Sequence, residues 1–492
     1  MVHVRFSLTG RLLAVAAVVA AVIAPAAASA APQACGGTGS VTTVNGTLAD
    51  GASYEFQCPA GNWNGTLFLY SHGYVVPGSA NPAQDVGDPA TGGWLLAHGF
   101  ALAGSSYSTT GWAIAQALPD QIATLNVFRR AYGHRTKTIA WGHSLGGIIT
   151  AGLIQRYPSR FTAALPMCGV LSGGVATWNT ALDSAFAFQR LLAPARGLHV
   201  VNITSPQANL GIAETAAAQA QATPAGRARL ALAAAFGDTP GWFTPLSAQP
   251  AKTDYAGQEA NQYLWDSQVD FPFAFAFRAN LEHVAGGNPS WTTGVNFTRQ
   301  LRKSADYAEV VHLYTAAGLS LTSDLRTLNK AARISADPAA VGYLSRNISF
   351  NGHISVPVLT LHTTGDGLVV PENEQAYRAV VARAGNGNLL RQAFVSRAGH
   401  CAFTSAETIA AVQVLLDRLK TGNWDATALR PASLNAAAEA LGPAFNIFSA
   451  QNGTCPQGPP VSGVCATAPA YVRYQPARYL RPFDLRERSS RR

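Results

Sequence analysis

The chain has 492 residues, 48% hydrophobic and only 12% charged, with a formal net charge of +9. That much apolar material excludes a disordered chain and a minimal domain, and it suits one enzyme-sized core carrying an insertion. The positive balance comes from Arg, which crowds the stretch VRYQPARYLRPFDLRERSSRR (472–492). A solvated end is expected there and no nucleic-acid partner, because a binding face would set basic residues among aromatics on folded structure.

At the N-terminus, Arg5 and Arg11 precede the apolar run LLAVAAVVAAVIA (12–24), and ASA (28–30) offers small residues for cleavage. This is the layout of a secretory signal peptide over 1–30, and the run is shorter than the roughly 20 residues that span a bilayer. No later stretch is a candidate membrane span, so a secreted, extracellular protein is expected. Export permits disulfides among Cys35, Cys58, Cys168, Cys401, Cys455 and Cys465; none has the CxxC spacing of a metal site, and no metal or cofactor is expected.

VTTVNGTL (41–48), SYEFQC (53–58) and TLFLYS (66–71) predict three strands separated by turn residues. FALAGSSYS (100–108) is a further apolar run. PDQIATLNVFRRAYG (119–133) has helical spacing opened by Pro and closed by Gly, and TKTIAW (136–141) and FTAALPMCGV (161–170) predict strands. Alternating strands and helices predict an α/β fold, a doubly wound, mostly parallel sheet. Helical segments then fill 171–352, an insertion placed where a lid would sit, before strands resume at VPVLTLH (356–362) and LLRQAFVS (389–396). The helix SAETIAAVQVLLDRLKTG (405–422) is opened by a Thr404/Glu407 capping box. The expected organisation is thus a signal peptide (1–30), a core (31–170 and 353–430), a lid or cap insertion (171–352) and a C-terminal extension (431–492).

In TIAWGHSLGGIITAGLIQRYP (138–158), a strand stops at Gly142, Ser144 follows two residues later, and a helix begins. Gly142-His143-Ser144-Leu145-Gly146 fits G-x-S-x-G, a strained strand-to-helix turn that lifts a hydroxyl above the sheet edge. A serine hydroxyl needs a base, and the base needs an orienting acid. Asp366 lies just past a strand in LTLHTTGDGLVVP, and His400 just past the next in FVSRAGHCAF. Ser, Asp and His thus stand in order at strand ends, and Ser144, Asp366 and His400 are the candidate catalytic residues. Backbone N–H groups of Leu145 and Tyr74 are the expected oxyanion donors, the second from the loop in LFLYSHGY. His72, Gly73 and His143 are pocket candidates. Phe271, Phe273, Phe275 and Phe277 alternate along DFPFAFAFRANLEHV (270–284), either as core of the insertion or as lining of an apolar pocket.

Through SHGY, GHSLGG, TGDGLVV and GHC the chain resembles the α/β-hydrolase superfamily, over about 41–170 and 353–422. The resemblance implies an eight-stranded, mostly parallel sheet and an acyl-enzyme mechanism, and more narrowly it is similar to secreted actinobacterial hydrolases with lipase-like elbows. A Cys after the triad His is shared with tannases and feruloyl esterases, but the partner Cys that precedes the nucleophile there is His143 here. The GGPG motif of secreted tripeptidyl aminopeptidases is missing as well. The function expected is a secreted serine esterase acting on a small-molecule or polymeric ester. The alternatives are a peptidase or amidase with the same triad, or a silent hydrolase-fold binding protein. Cys35–Cys58 and Cys455–Cys465 are plausible local pairs. That leaves Cys168–Cys401 as a bridge bracing the loop of His400.

Overall fold

The computed structural model describes residues 34–133, 137–449 and 464–481. The proposed signal peptide, Cys455 and the end of the chain from 482 lie outside the described residues. Strands β1 (Thr42–Thr47), β2 (Ser53–Cys58), β3 (Thr66–Ser71), β4 (Ala101–Ser105), β5 (Lys137–His143), β6 (Ala163–Met167), β7 (Val358–Gly365) and β8 (Leu390–Ala398) fall close to the predicted positions. A short hairpin of β9 (Ile447–Ser449) and β10 (Val464–Ala466) follows, and then β11 (Tyr471–Val472).

One nine-stranded sheet has the order β1-β2-β4-β3-β5-β6-β7-β8-β11. The pairs from β4 through β8 are parallel, whereas β1–β2, β2–β4 and β8–β11 are antiparallel. The eight strands implied by the resemblance become nine because the C-terminal segment pairs with the edge of β8 and closes it. Both faces are covered, and the period-two alternation of β3 shows how. Leu67 and Leu69 pack on the side of the helices Ile114–Tyr132 and Leu145–Arg156, Phe68 and Tyr70 on the side of Ser405–Thr421.

Between β6 and β7 the chain leaves the sheet for a run of helices from Gly174 to Ile348. They have their own core, in which Phe186, Phe188, Phe236, Phe271, Phe275 and Phe297 are buried. Pro119, predicted to open a helix, lies inside one that begins at Ile114. The start moves back because Ile114, Ala117 and Leu118 are apolar and buried against the sheet, and that burial outweighs the lost backbone bond.

The tail also departs from the solvated end expected of it, as far as Arg481. Tyr479 is buried, its hydroxyl donating to Ala235 O at 2.7 Å, and Arg481 pairs with Asp183 at 2.9 Å. Aromatic rings placed between the arginines let this basic segment pack onto the insertion.

At the end of β8, buried Arg397 forks onto Glu407 at 2.6 and 3.0 Å and donates to Ala402 O at 2.8 Å. Glu407 also closes the predicted capping box with Thr404, so one ion pair ties the turn 397–404 to the helix behind it. Arg397→Met should therefore lower the unfolding free energy by on the order of 3–5 kcal/mol, since it strands a buried carboxylate. Denaturant titration checks this, and a midpoint equal to that of the wild type would contradict it.

Candidate active site

Ser144 is the N-cap of the helix Leu145–Arg156, with φ 58° and ψ −121°, a region that a side chain enters only when its surroundings force it. The force is close packing. A Cβ on Gly142 or on Gly146 would collide with the Ser71 carbonyl, and one on Gly147 would lie 2.5 Å from Gly169 Cα. The glycines let the ends of β3, β5 and β6 converge under the turn, and the hydroxyl stands above them.

His400 Nε2 lies 2.7 Å from Ser144 Oγ and His400 Nδ1 lies 2.8 Å from Asp366 Oδ2. The three residues predicted from separate strand ends are thus brought into one hydrogen-bonded line. Asp366 is fully buried, and its Oδ1 accepts the Val369 N–H at 2.9 Å. Burial alone would raise its pKa, but His400 and His362 outweigh that and hold the carboxyl below its ordinary value.

The loop of His400 is anchored from two sides. Cys401 is bonded to Cys168 at the end of β6, and both half-cystines have left-handed backbones, with φ of 56° and 41°. Arg397 holds Ala402 O from the other side. Cys35–Cys58 is bonded near the first hairpin, as expected. Cys168, His400 and Cys401 also form a grouping of metal-ligating type, but its two sulfurs are joined to each other.

Gly73 lies against Ser144, where a Cβ would be 3.6 Å from Ser144 Cβ. The peptide that carries the Tyr74 N–H therefore lies beside the site, and the Leu145 N–H belongs to the first residue of the helix after Ser144. His72, expected at the pocket, faces neither cavity at the site. It is buried, stacks on Tyr107 with ring centroids 4.0 Å apart, and directs Nδ1 to Gly73 O at 2.8 Å and Nε2 to Ser106 O at 3.1 Å. Burial pushes its pKa below the ordinary value, and its contact with Gly73 O ties the ring to the Gly73–Tyr74 peptide. His143 does line the outer cavity, with Nδ1 3.1 Å from the Tyr70 hydroxyl. Burial lowers its pKa to about 4, which keeps it neutral.

Two cavities meet at Ser144. The outer one is faced by Tyr70, His143, Phe273, Phe277, His400 and Phe403. The inner one has a volume of about 120 Å³, the scale of a single ring, and is lined mainly by apolar groups, with Asp266, Asp270, Thr180 and Asn373 among its polar ones. The phenylalanines at alternate positions lie on π-helical turns between Asp266 and Phe277, so they divide into i,i+4 pairs. Phe271 and Phe275 pack on Phe188 in the insertion core, whereas Phe273 and Phe277 meet Tyr74 at 5.2 and 5.8 Å between ring centroids. Core and pocket are both served by one run.

Asp266, Asp270 and His362 were not singled out in the sequence. Acidic residues in a helical insertion resemble a solvated face, although a His in the buried strand LTLHTTG was a legible sign.

No family model matches the chain. The chain is 30% identical over 426 residues to an o-phthalyl amidase of Xanthobacter agilis, covering 80% of this chain and 90% of that protein. Among solved structures it is similar to feruloyl esterase B from Aspergillus oryzae, at 12% identity and a TM-score of 0.38, over 78% of this chain and 81% of that one. It is also similar to an acylaminoacyl peptidase of Pyrococcus horikoshii, at 8% identity and a TM-score of 0.33, over 73% and 38%. The chain has an α/β-hydrolase fold and belongs to the same protein family as the o-phthalyl amidase of Xanthobacter agilis.

Proposed function

We propose that this protein is a secreted serine hydrolase that cleaves a carboxylic acid derivative through an acyl-enzyme on Ser144. The observation that carries the proposal is the double contact of one imidazole, His400, with the Ser144 hydroxyl and the Asp366 carboxylate. In this reading His400 Nε2 takes the Ser144 proton as Oγ attacks the carbonyl carbon, and returns it to the leaving oxygen or nitrogen. Asp366 holds the ring so that Nε2 can accept, and the Leu145 and Tyr74 N–H groups receive the oxyanion. Water then repeats the sequence and frees Ser144.

The expected substrate is an ester whose acyl or alcohol part is a small aromatic group, in keeping with the ring-sized inner cavity and the aromatic wall of Tyr74, Phe273 and Phe277. Amide hydrolysis is the second reading. It is favoured by the relative named as an o-phthalyl amidase, and it asks of His400 the same delivery of a proton to the leaving group. The helices between β6 and β7 act as a cap that brings Phe273 and Phe277 over the site. Two disulfides within the described residues suit export.

Three outcomes test this assignment. A fluorophosphonate should label the wild type at Ser144, and Ser144→Ala should remove the label and roughly 10⁴-fold or more of the turnover of aryl esters and aryl amides. A folded variant that kept a tenth of the rate would overturn the assignment.

Reduction of Cys168–Cys401, or replacement of both by Ala, should lower kcat, since a misplacement of about 1 Å can cost on the order of 10²-fold. Unchanged turnover in a protein shown by peptide mapping to lack the bridge would count against the brace.

Asp266 lines the inner cavity without a hydrogen-bond partner among the described residues, and burial, helped by Glu259, pushes its pKa up to about 8. Between about pH 4 and 8 the unfolded chain ionises this carboxyl and the folded chain does not, so stability falls as pH rises through that window. Asp266→Asn should therefore be more stable than the wild type at about pH 8, by on the order of 1 kcal/mol or more, and equal to it near pH 4. Thermal melts at the two pH values measure the difference, and an equal effect at both would refute the cause.

A further inference from the structure

Beside Asp366, near the same carboxylate oxygen that His400 meets, lies a second histidine that the proposed reaction does not use. His362 sits on β7 and is fully buried. Its Nδ1 is 3.2 Å from Glu374 Oε1, and its Nε2 is 2.7 Å from Val369 O and 3.6 Å from Asp366 Oδ2. All three neighbours are oxygens, and two belong to carboxyl groups. Glu374 is itself held as an acceptor, its Oε2 taking the Thr360 hydroxyl and the Gln392 amide, each at 2.5 Å.

We propose that His362 is held as an imidazolium, a positioning residue that keeps Asp366 ionised and aimed at His400. A neutral ring has one N–H and would turn a lone pair toward one of these oxygens in a fully buried site. With both nitrogens protonated, Nδ1–H donates to Glu374 and Nε2–H donates to Val369 O. The second bond also fixes the turn, because the Val369 N–H is the donor to Asp366 Oδ1. His72 also faces two oxygens, but both are neutral carbonyls and it stays uncharged. The difference is the pair of carboxylates.

Other charged groups agree with this assignment. Asp366 faces the ring from the loop after β7, with His400 on the same carboxylate from the loop after β8, and Glu374 faces it from the helix Glu372–Arg383, with Glu372 near enough to feel its charge. Asp270, from the insertion, is near enough to Asp366 for the two carboxyls to repel, and burial together with Asp266 and Asp366 raises the Asp270 carboxyl. Burial alone would lower the pKa of His362, but Asp366 and Glu374 reverse this and raise it to about 10. The cation in turn helps to hold the Asp366 carboxyl below its ordinary value, as a carboxylate beside His400.

This inference rests on the triad proposed above, and its first test does not depend on catalysis. In the wild-type protein labelled with 15N-histidine, both ring nitrogens of His362 should carry protons at about pH 8, where an ordinary imidazole, with a pKa of about 6.5, is neutral. An unprotonated nitrogen there, including a neutral ring facing a protonated Glu374, would overturn the assignment, whatever the fluorophosphonate reaction shows at Ser144. The second test is His362→Gln, checked for folding by its reaction with fluorophosphonate. The acid limb of its kcat/KM profile should move to higher pH by about half a unit to one unit, because the nearby cation is gone. A merely structural role would change the rate and leave the limb in place, so an unmoved limb in an enzyme that still takes the label would refute the electrostatic role.

Discussion

The Ser71 carbonyl touches the places where side chains would stand on Gly142 and Gly146, and the rest of the site is arranged around that contact. It draws the end of β3 under the turn of Ser144. The loop after β3 carries Gly73 and Tyr74, so the approach that strains Ser144 also brings the Tyr74 N–H beside it. Gly147 and Gly169 repeat the contact toward β6, and β6 ends one residue before Cys168, whose disulfide reaches the loop of His400. Three strand ends are thereby located by backbone contacts, which change less with side-chain motion than hydrogen bonds between long side chains would.

Charge around the site is divided between two surroundings. Asp366 has a backbone N–H and two histidines, and its carboxyl is held low. Asp266 and Asp270 have no hydrogen-bond donors among the described residues, and their carboxyls are pushed up. The same residue type is therefore pushed in opposite directions behind the imidazole and at the inner cavity, with partners making the difference. Under the proposed mechanism this division is useful, since the negative charge that matters lies in line with His400 and the cavity wall stays close to neutral.

The elements that carry the triad were legible in the sequence because each is a local signal. Gly142 and Gly146 flank Ser144, Asp366 stands between glycines, and His400 follows Gly399. Turn chemistry at strand ends depends on neighbours in the chain. The capping box of Thr404 and Glu407 is equally local. Features set by tertiary packing were harder to read. The helix at Ile114 starts before its proline because of what it buries, and His72 turns away from the cavities because Ser106 and Tyr107 receive it. The alternation of Phe271 to Phe277 left core and pocket undecided, and π-helical turns are not visible in a pattern of hydrophobicity.

The C-terminal segment shows how far apart in sequence the parts of one cavity can lie. After β11 pairs with β8, the chain crosses to the insertion, where Tyr479 and Arg481 are fixed by Ala235 and Asp183. Leu480, between them, lines the inner cavity with Ser144. That wall therefore combines the elbow, the insertion and the tail. A segment anchored by hydrogen bonds on either side of Leu480 holds the insertion to the sheet at the cavity itself, so the shape of the inner cavity depends on a contact more than 300 residues from the nucleophile in sequence. Buried polar contacts of this kind cost free energy when broken one at a time. The insertion and the core are accordingly coupled at the inner cavity, and the basic composition of the tail gave no sign of it.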